Sequence, residues 1–211
     1  MNVRLLPARP PAAAIAPIVR VLVAVRITPA MLTTAGLLGN MVAAALIMQG
    51  SLFTGGIVVL LASALDMLDG ALARATSSTS RFGAMYDSVL DRFSEAIVLF
   101  GIAWYGFQNG SREQALLAFA AVVGSLMVSY VRARAEGLNL QLQDGIFTRA
   151  ERVVLTGAML ILGYLTIGLW IIAVMSLFTA FQRLWIASRM LLQADAPPKT
   201  VLATAKPEPQ R

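Results

Sequence analysis

Neither cysteine nor histidine occurs anywhere in this chain of 211 residues. Disulfides, thiolate or imidazole metal centres, and schemes built on a cysteine nucleophile or a histidine base are therefore excluded. Any metal must be held by oxygen. Charge is scarce too, at 13% of residues, and acids are the rarer sign, 11 against 17 basic residues. No stretch has the polar composition of a separate soluble domain. Nor is a cleaved signal peptide expected at the start, because Pro10, Pro11, Pro17, Arg20 and Arg26 interrupt the apolar core it would need. What fills the chain is hydrocarbon. Hydrophobic residues make up 58% and mean hydropathy is +0.73. Several apolar runs reach about 20 residues, the length that crosses a bilayer as a helix. The composition predicts an all-α integral membrane protein.

Taken in order, residues 11–26 predict an amphipathic helix lying on the membrane surface. Ile15, Ile18, Val19, Leu22, Val23 and Val25 fall on one broad stripe, with Arg20 off it. Thr28-Pro29 ends that helix. Six transmembrane helices are expected over about 31–49, 53–75, 82–107, 114–136, 149–165 and 168–191, separated by turns and polar loops. Residues 1–192 then make one membrane domain, and 193–211, with Pro197, Pro198, Pro207 and Pro209, a disordered tail. The basic residues sort by side. With the amino terminus inside, the three outer turns carry only Arg112, and all other basic helix-end residues face inward. The positive-inside rule thus puts both termini in the cytoplasm, with the chain in the cell membrane. A net charge of +6 suits anionic lipid or phosphate-bearing substrates, and its scatter between spans argues against nucleic acid.

The chain is organised around residues 66–91, DMLDGALARATSSTSRFGAMYDSVLD, where four aspartates stand in apolar surroundings. A carboxylate at membrane depth costs roughly 2.5–3.5 kcal/mol on insertion scales, so the four need partners. Asp66 and Asp69 are spaced i,i+3 and Asp87 and Asp91 i,i+4, so each pair shares a helix face. Gly70 and Ala73 join the first face and Gly83 the second, which leaves room for close approach. A hard divalent cation, Mg²⁺ above all with Mn²⁺ as the alternative, would neutralise such a quartet. Two ions bridged by carboxylates would suit phosphoryl transfer. Asp91, one turn beyond Asp87, is placed to take a proton from an attacking hydroxyl. The bland alternative pairs the aspartates with Arg74, Arg81 and Arg92 as structural ion pairs. Glu95 is expected to partner Arg92 or to support the site from behind.

These residues resemble the CDP-alcohol phosphotransferase family of membrane enzymes. Its signature, D-x-x-D-G-x-x-A-R, eight residues, then G-x-x-x-D-x-x-x-D, stands complete here at Asp66, Asp69, Gly70, Ala73, Arg74, Gly83, Asp87 and Asp91. The resemblance implies transfer of a substituted phosphate from a CDP-linked donor, usually CDP-diacylglycerol, to an alcohol, with release of CMP. It implies Asp66, Asp69 and Asp87 as metal ligands, and Asp91 as general base and further ligand. Pro29, Thr33, Gly70, Arg74 and Ser80 would bind CDP-diacylglycerol. Further stretches, SYVRARAE from Ser129, RAER from Arg149 and FQRL from Phe181, are similar to the branch that uses inositol 1-phosphate as acceptor. That likeness implies Arg132, Arg134, Arg152 and Arg183 as ligands of the acceptor phosphate, and a homodimer. Arg132 departs from the branch, which commonly has lysine there.

Arginine forks from three separate segments at one membrane level support a phosphorylated acceptor on physical grounds as well. Glycerol 3-phosphate is the rival acceptor. A divalent-cation transporter is the rival of another class, since intramembrane carboxylates also mark ion paths. It is disfavoured by the apolar outer parts of spans two and three.

Overall fold

The computed structural model describes residues 12–142 and 145–194. The first eleven residues, Asp144 and the proline-rich tail after Ala194 lie outside the described residues. Among those described there are seven helices: α1 Ala12–Ala24, α2 Pro29–Met48, α3 Leu52–Ala75, α4 Arg81–Gln108, α5 Arg112–Glu136, α6 Arg149–Leu162 and α7 Leu165–Ala194. Their limits follow local chemistry. The Thr28 hydroxyl accepts from the Met31 N–H, with Pro29 in the first helical turn, and Ser80 caps α4 by accepting from the Gly83 N–H at 2.9 Å. Gly163 takes a left-handed φ of 78° and closes α6 three residues before its expected end.

Four helices, α2, α3, α5 and α7, are long and apolar enough to cross a membrane. The remaining two expected spans differ for separate reasons. α4 has 28 residues, ample length, but it carries Asp87, Asp91, Arg92 and Glu95. α6 has only 14 residues, about 21 Å at 1.5 Å per residue against a hydrocarbon core of about 30 Å.

Packing contacts run α2–α3–α6–α7–α5–α4 and back to α2, closing a ring of six helices, with α1 docked outside on α3. α1 docks through Ile15, Val19 and Leu22 against Leu68, Ala71 and Leu72, and leaves Ile18, Val21 and Val23 exposed. The main core lies at one end of the ring. It draws on every helix from α2 to α7, among others through Ala43 and Ile47, Val59, Val98 and Ile102, Ala118 and Ala121, Leu160, and Leu169 and Ile172. Backbones approach closely there: a Cβ on Gly101 would fall 2.9 Å from the Ala44 carbonyl oxygen, so only glycine fits. Because helices consecutive in the chain alternate in direction, the opposite end collects the start of α2, the end of α3, the start of α4, the end of α5, the start of α6 and the last part of α7. The candidate site residues lie at that end.

Candidate active site

Two cavities open at the polar end. The first, about 550 Å³, lies between the starts of α2 and α4 and the end of α3. Its wall includes Pro29, Thr33, Asp69, Gly70, Arg74, Ser80, Gly83 and Asp87, so all five residues expected for the CDP-linked donor are brought together. Ser80 accepts the capping N–H through its oxygen and keeps its own proton available. Gly70 leaves the wall open, since a Cβ there would meet nothing nearer than the Arg74 guanidinium at 3.4 Å.

The second cavity, about 480 Å³, lies between α4, α5, α6 and α7. Its lining holds five arginines, Arg92, Arg132, Arg149, Arg152 and Arg183, together with Asp87, Asp91 and Glu95. Arg132, Arg152 and Arg183 are thus brought together as expected. Arg134 is not: it is exposed and off this wall. The arginines are held from behind. Arg152, 2% exposed, donates from Nε and Nη2 to the two Glu95 oxygens at 2.5 and 2.9 Å and from Nη1 to the Phe147 carbonyl. Arg183 donates to the Val128 carbonyl at 2.9 Å, and Arg132 to Glu136 at 2.8 Å. Glu95 therefore does not pair with Arg92, as local spacing suggested; Arg92 instead donates to the Ser88 hydroxyl at 2.6 Å.

The aspartates lie between these cavities. Asp66 and Asp69 are buried, Asp87 and Asp91 half-buried. Asp87 interacts electrostatically with each of the other three, so both helices aim their acids at one region. The Thr33 hydroxyl lies 2.6 Å from Asp69 Oδ2. The Thr34 and Tyr86 hydroxyls, 3.0 Å apart, tie α2 to α4 beside them.

Arg149, the first residue of α6, was not assigned a site role from the sequence. Its Nη2 donates to Asp66 Oδ2 at 3.0 Å, and its Nη1 lies 2.7 Å from Asp91 Oδ1. Spacing suggests Arg74, Arg81 and Arg92 as structural partners of the quartet; among the described residues the arginine that forms ion pairs with it is Arg149. Its i,i+3 spacing from Arg152, on the same face of α6, was the available signal. α6 starts here because the Thr148 N–H and hydroxyl both donate to Glu151, the reciprocal half of a capping box, which fixes where Arg149 and Arg152 point.

The donor set fits a hard divalent cation. It is carboxylate oxygen throughout, and Asp66 Oδ1 is shielded from solvent without a hydrogen-bond partner. As they stand, no three acidic side chains among the described residues are drawn together tightly enough to hold an ion. The Arg149 guanidinium spans two of them.

The chain and its fold are similar to those of known proteins. Residues 26–188 match the family model for CDP-alcohol phosphatidyltransferase. The chain is 37% identical over 177 residues to a phosphatidylinositol phosphate synthase of Mycobacteroides abscessus, covering 80% of each chain. Its fold is similar to the crystal structure of Mycobacterium tuberculosis phosphatidylinositol phosphate synthase with CDP-DAG bound. That match has a TM-score of 0.76 and 34% identity over 81% of this chain and 92% of that one. The same mycobacterial protein in complex with manganese and citrate gives a TM-score of 0.74 and 33% identity over 82% and 88%.

Proposed function

This chain belongs to the CDP-alcohol phosphatidyltransferase family, enzymes of phospholipid synthesis, and from that premise we propose its substrates. It transfers the phosphatidyl group of CDP-diacylglycerol to a hydroxyl of inositol 1-phosphate, releasing CMP and forming phosphatidylinositol phosphate. One observation carries the reading: Asp87 stands on the wall of both cavities. A donor in the first and an acceptor in the second would meet at the carboxylates without either having to change site. The names of the mycobacterial relatives, and the CDP-DAG bound in one of them, support that choice of substrates.

Pro29, Thr33, Gly70, Arg74 and Ser80 hold the cytidine diphosphate end, with Arg74 supplying charge and the Ser80 proton meeting a phosphate oxygen. Asp66, Asp69, Asp87 and Asp91 would hold two divalent ions, Mg²⁺ or Mn²⁺, which when bound supply Lewis-acid stabilisation of charge on the diphosphate. The manganese complex of the mycobacterial protein favours this assignment. Arg132, Arg152, Arg183 and Arg149 orient the acceptor phosphate, and Arg134 adds only field from outside the wall. Asp91 takes the proton of the attacking hydroxyl as its oxygen bonds to the lipid-bearing phosphorus and the bond from that phosphorus to the CMP oxygen breaks. Direct transfer is the simpler course, because the chain offers neither cysteine nor histidine, nor an obviously activated serine, as a covalent nucleophile.

α4 and α6 complete six spans, and α1 lies on the membrane surface with its exposed apolar residues in the lipid. The arginine-rich end faces the cytoplasm. The test is an acceptor panel: purified protein with CDP-diacylglycerol and, separately, inositol 1-phosphate, glycerol 3-phosphate or inositol, with CMP release followed. Release with inositol 1-phosphate alone is expected. Release with glycerol 3-phosphate instead would make the chain a phosphatidylglycerophosphate synthase.

A further inference from the structure

Arg149 belongs to both halves of the site at once. Its two Nη atoms are engaged by Asp66 and Asp91, which ties α3 to α4 through the first turn of α6. The same side chain lines the arginine cavity beside Arg132, Arg152 and Arg183, and its Nε is shielded from solvent without a hydrogen-bond partner. On that wall Arg152 is held by Glu95 and Phe147, Arg183 by Val128, and Arg132 by Glu136. Arg149 alone among these four is held by carboxylates that the proposed function assigns to divalent ions.

We propose that Arg149 is a positioning residue that exchanges partners, leaving Asp66 and Asp91 for the acceptor phosphate as the divalent ions load. The inference rests on the ion and phosphate assignments of the proposed function. A guanidinium and a dication compete for the same carboxylates and repel each other at such range. A tetrahedral dianion in the arginine cavity offers the fork two acceptor oxygens in place of the two it gives up, and a partner for Nε besides. Each ligand thus favours the arginine position that the other requires. Binding of ion and phosphate is cooperative, and linkage makes the effect equal in both directions.

The experiment titrates Mn²⁺ into purified full-length protein in nanodiscs, reading free Mn²⁺ by electron paramagnetic resonance. It compares chloride with sulfate, the tetrahedral dianion probe, at equal ionic strength. Sulfate is expected to tighten Mn²⁺ binding roughly fivefold or more. Arg149→Gln should bind Mn²⁺ in chloride about as tightly as the wild type does in sulfate, and should not respond to sulfate. Arg149→Lys keeps the charge but not the fork, so it should bind Mn²⁺ in chloride more weakly than the glutamine variant and recover part of the sulfate response. Equal wild-type affinity in both salts, or a wild-type sulfate response in Arg149→Gln, overturns the exchange. If Asp87→Asn loses Mn²⁺ binding while Arg149→Gln matches the wild type in both salts, the ion site stands and the exchange is wrong. Absence of Mn²⁺ binding by the wild type would sink the ion assignment and this inference with it.

Discussion

Gly36 on α2 faces Asp66 on α3 so closely that a Cβ there would fall 1.8 Å from Asp66 Oδ1 and 3.3 Å from the Ala62 carbonyl oxygen. In Gly36→Ala the carboxylate has to recede by about 1.6 Å to reach ordinary contact, which begins near 3.4 Å. Misplacing a reacting or orienting group by about 1 Å costs on the order of 100-fold in rate. Stability should change far less. Overpacking costs about 1–3 kcal/mol, while replacing a mid-helix glycine by alanine returns about 1 kcal/mol of helix propensity. Gly39→Ala is the matched control. Its added methyl would fall 2.8 Å from the Ala62 methyl in the same α2–α3 contact, with no carboxylate among its near neighbours. CMP release by the two variants, alongside thermal unfolding in the same detergent, separates geometry from stability. Gly36→Ala should lose about 100-fold in kcat, and Gly39→Ala should keep wild-type turnover with a similar unfolding midpoint. Near wild-type turnover in Gly36→Ala, or an equal loss in both, would refute the claim that Asp66 must sit where Gly36 allows it.

Asp91→Asn should abolish CMP release while CDP-diacylglycerol still binds, as measured by equilibrium dialysis against labelled donor; wild-type turnover would remove Asp91 from the role of base. Glu95→Ala leaves the Arg152 charge buried without its partner, which costs about 3–5 kcal/mol and should lower the thermal midpoint sharply. A Glu95→Met, Arg152→Met double variant should recover most of that loss, because well-packed apolar side chains replace a buried pair at little net cost. Arg132→Ala should raise KM for the phosphorylated acceptor at least tenfold, whereas Arg134→Ala, off the cavity wall, should change it by no more than about twofold.

Much of the helical layout was legible because its determinants are local. Thr28-Pro29, Ser80 and Ser111 cap helices where a polar residue meets an apolar run, and the expected spans begin within three residues of the helices observed. The grouping of the aspartates was legible for the same reason, since i,i+3 and i,i+4 spacings put each pair on one face. Pairings across the fold were not. Arg149 meets Asp66 across 83 positions and Arg152 meets Glu95 across 57, and no periodicity in a linear chain encodes which of several inward arginines reaches which acid. Of the two roles expected for Glu95, the local pairing with Arg92 gives way to support of the site from behind, through Arg152. Gly36 was invisible for a related reason: in an apolar run it reads as a packing glycine, and only the neighbouring helix reveals that it makes room for a carboxylate. The length of α6 turned on Gly163, a single residue in a left-handed conformation inside an otherwise continuous apolar stretch.

The two ends of the ring solve opposite problems, and their contrast bears on the transporter rival. At the polar end several charges are met by opposite ones: Arg149 spans Asp66 and Asp91, and Glu95 grips Arg152. Acids and arginines thereby neutralise one another while the two cavities stay open beside them. Just beyond, a void of only about 20 Å³ lined by Asn40, Ser63, Ser94, Glu95 and Thr156 marks the limit of polar character; it is roomy enough for about one water. Past it, Ile47, Val59, Val98, Leu99, Ile102, Leu169 and Ile172 fill the other end of the ring, each buried and packed in one cluster. An ion path would need polar groups or water to continue through that plug, because an unpaired dication in hydrocarbon is prohibitively costly. The carboxylates therefore serve a chamber open from one side, which suits an enzyme that must bring a soluble phosphate ester to a lipid headgroup while the acyl chains stay in the membrane.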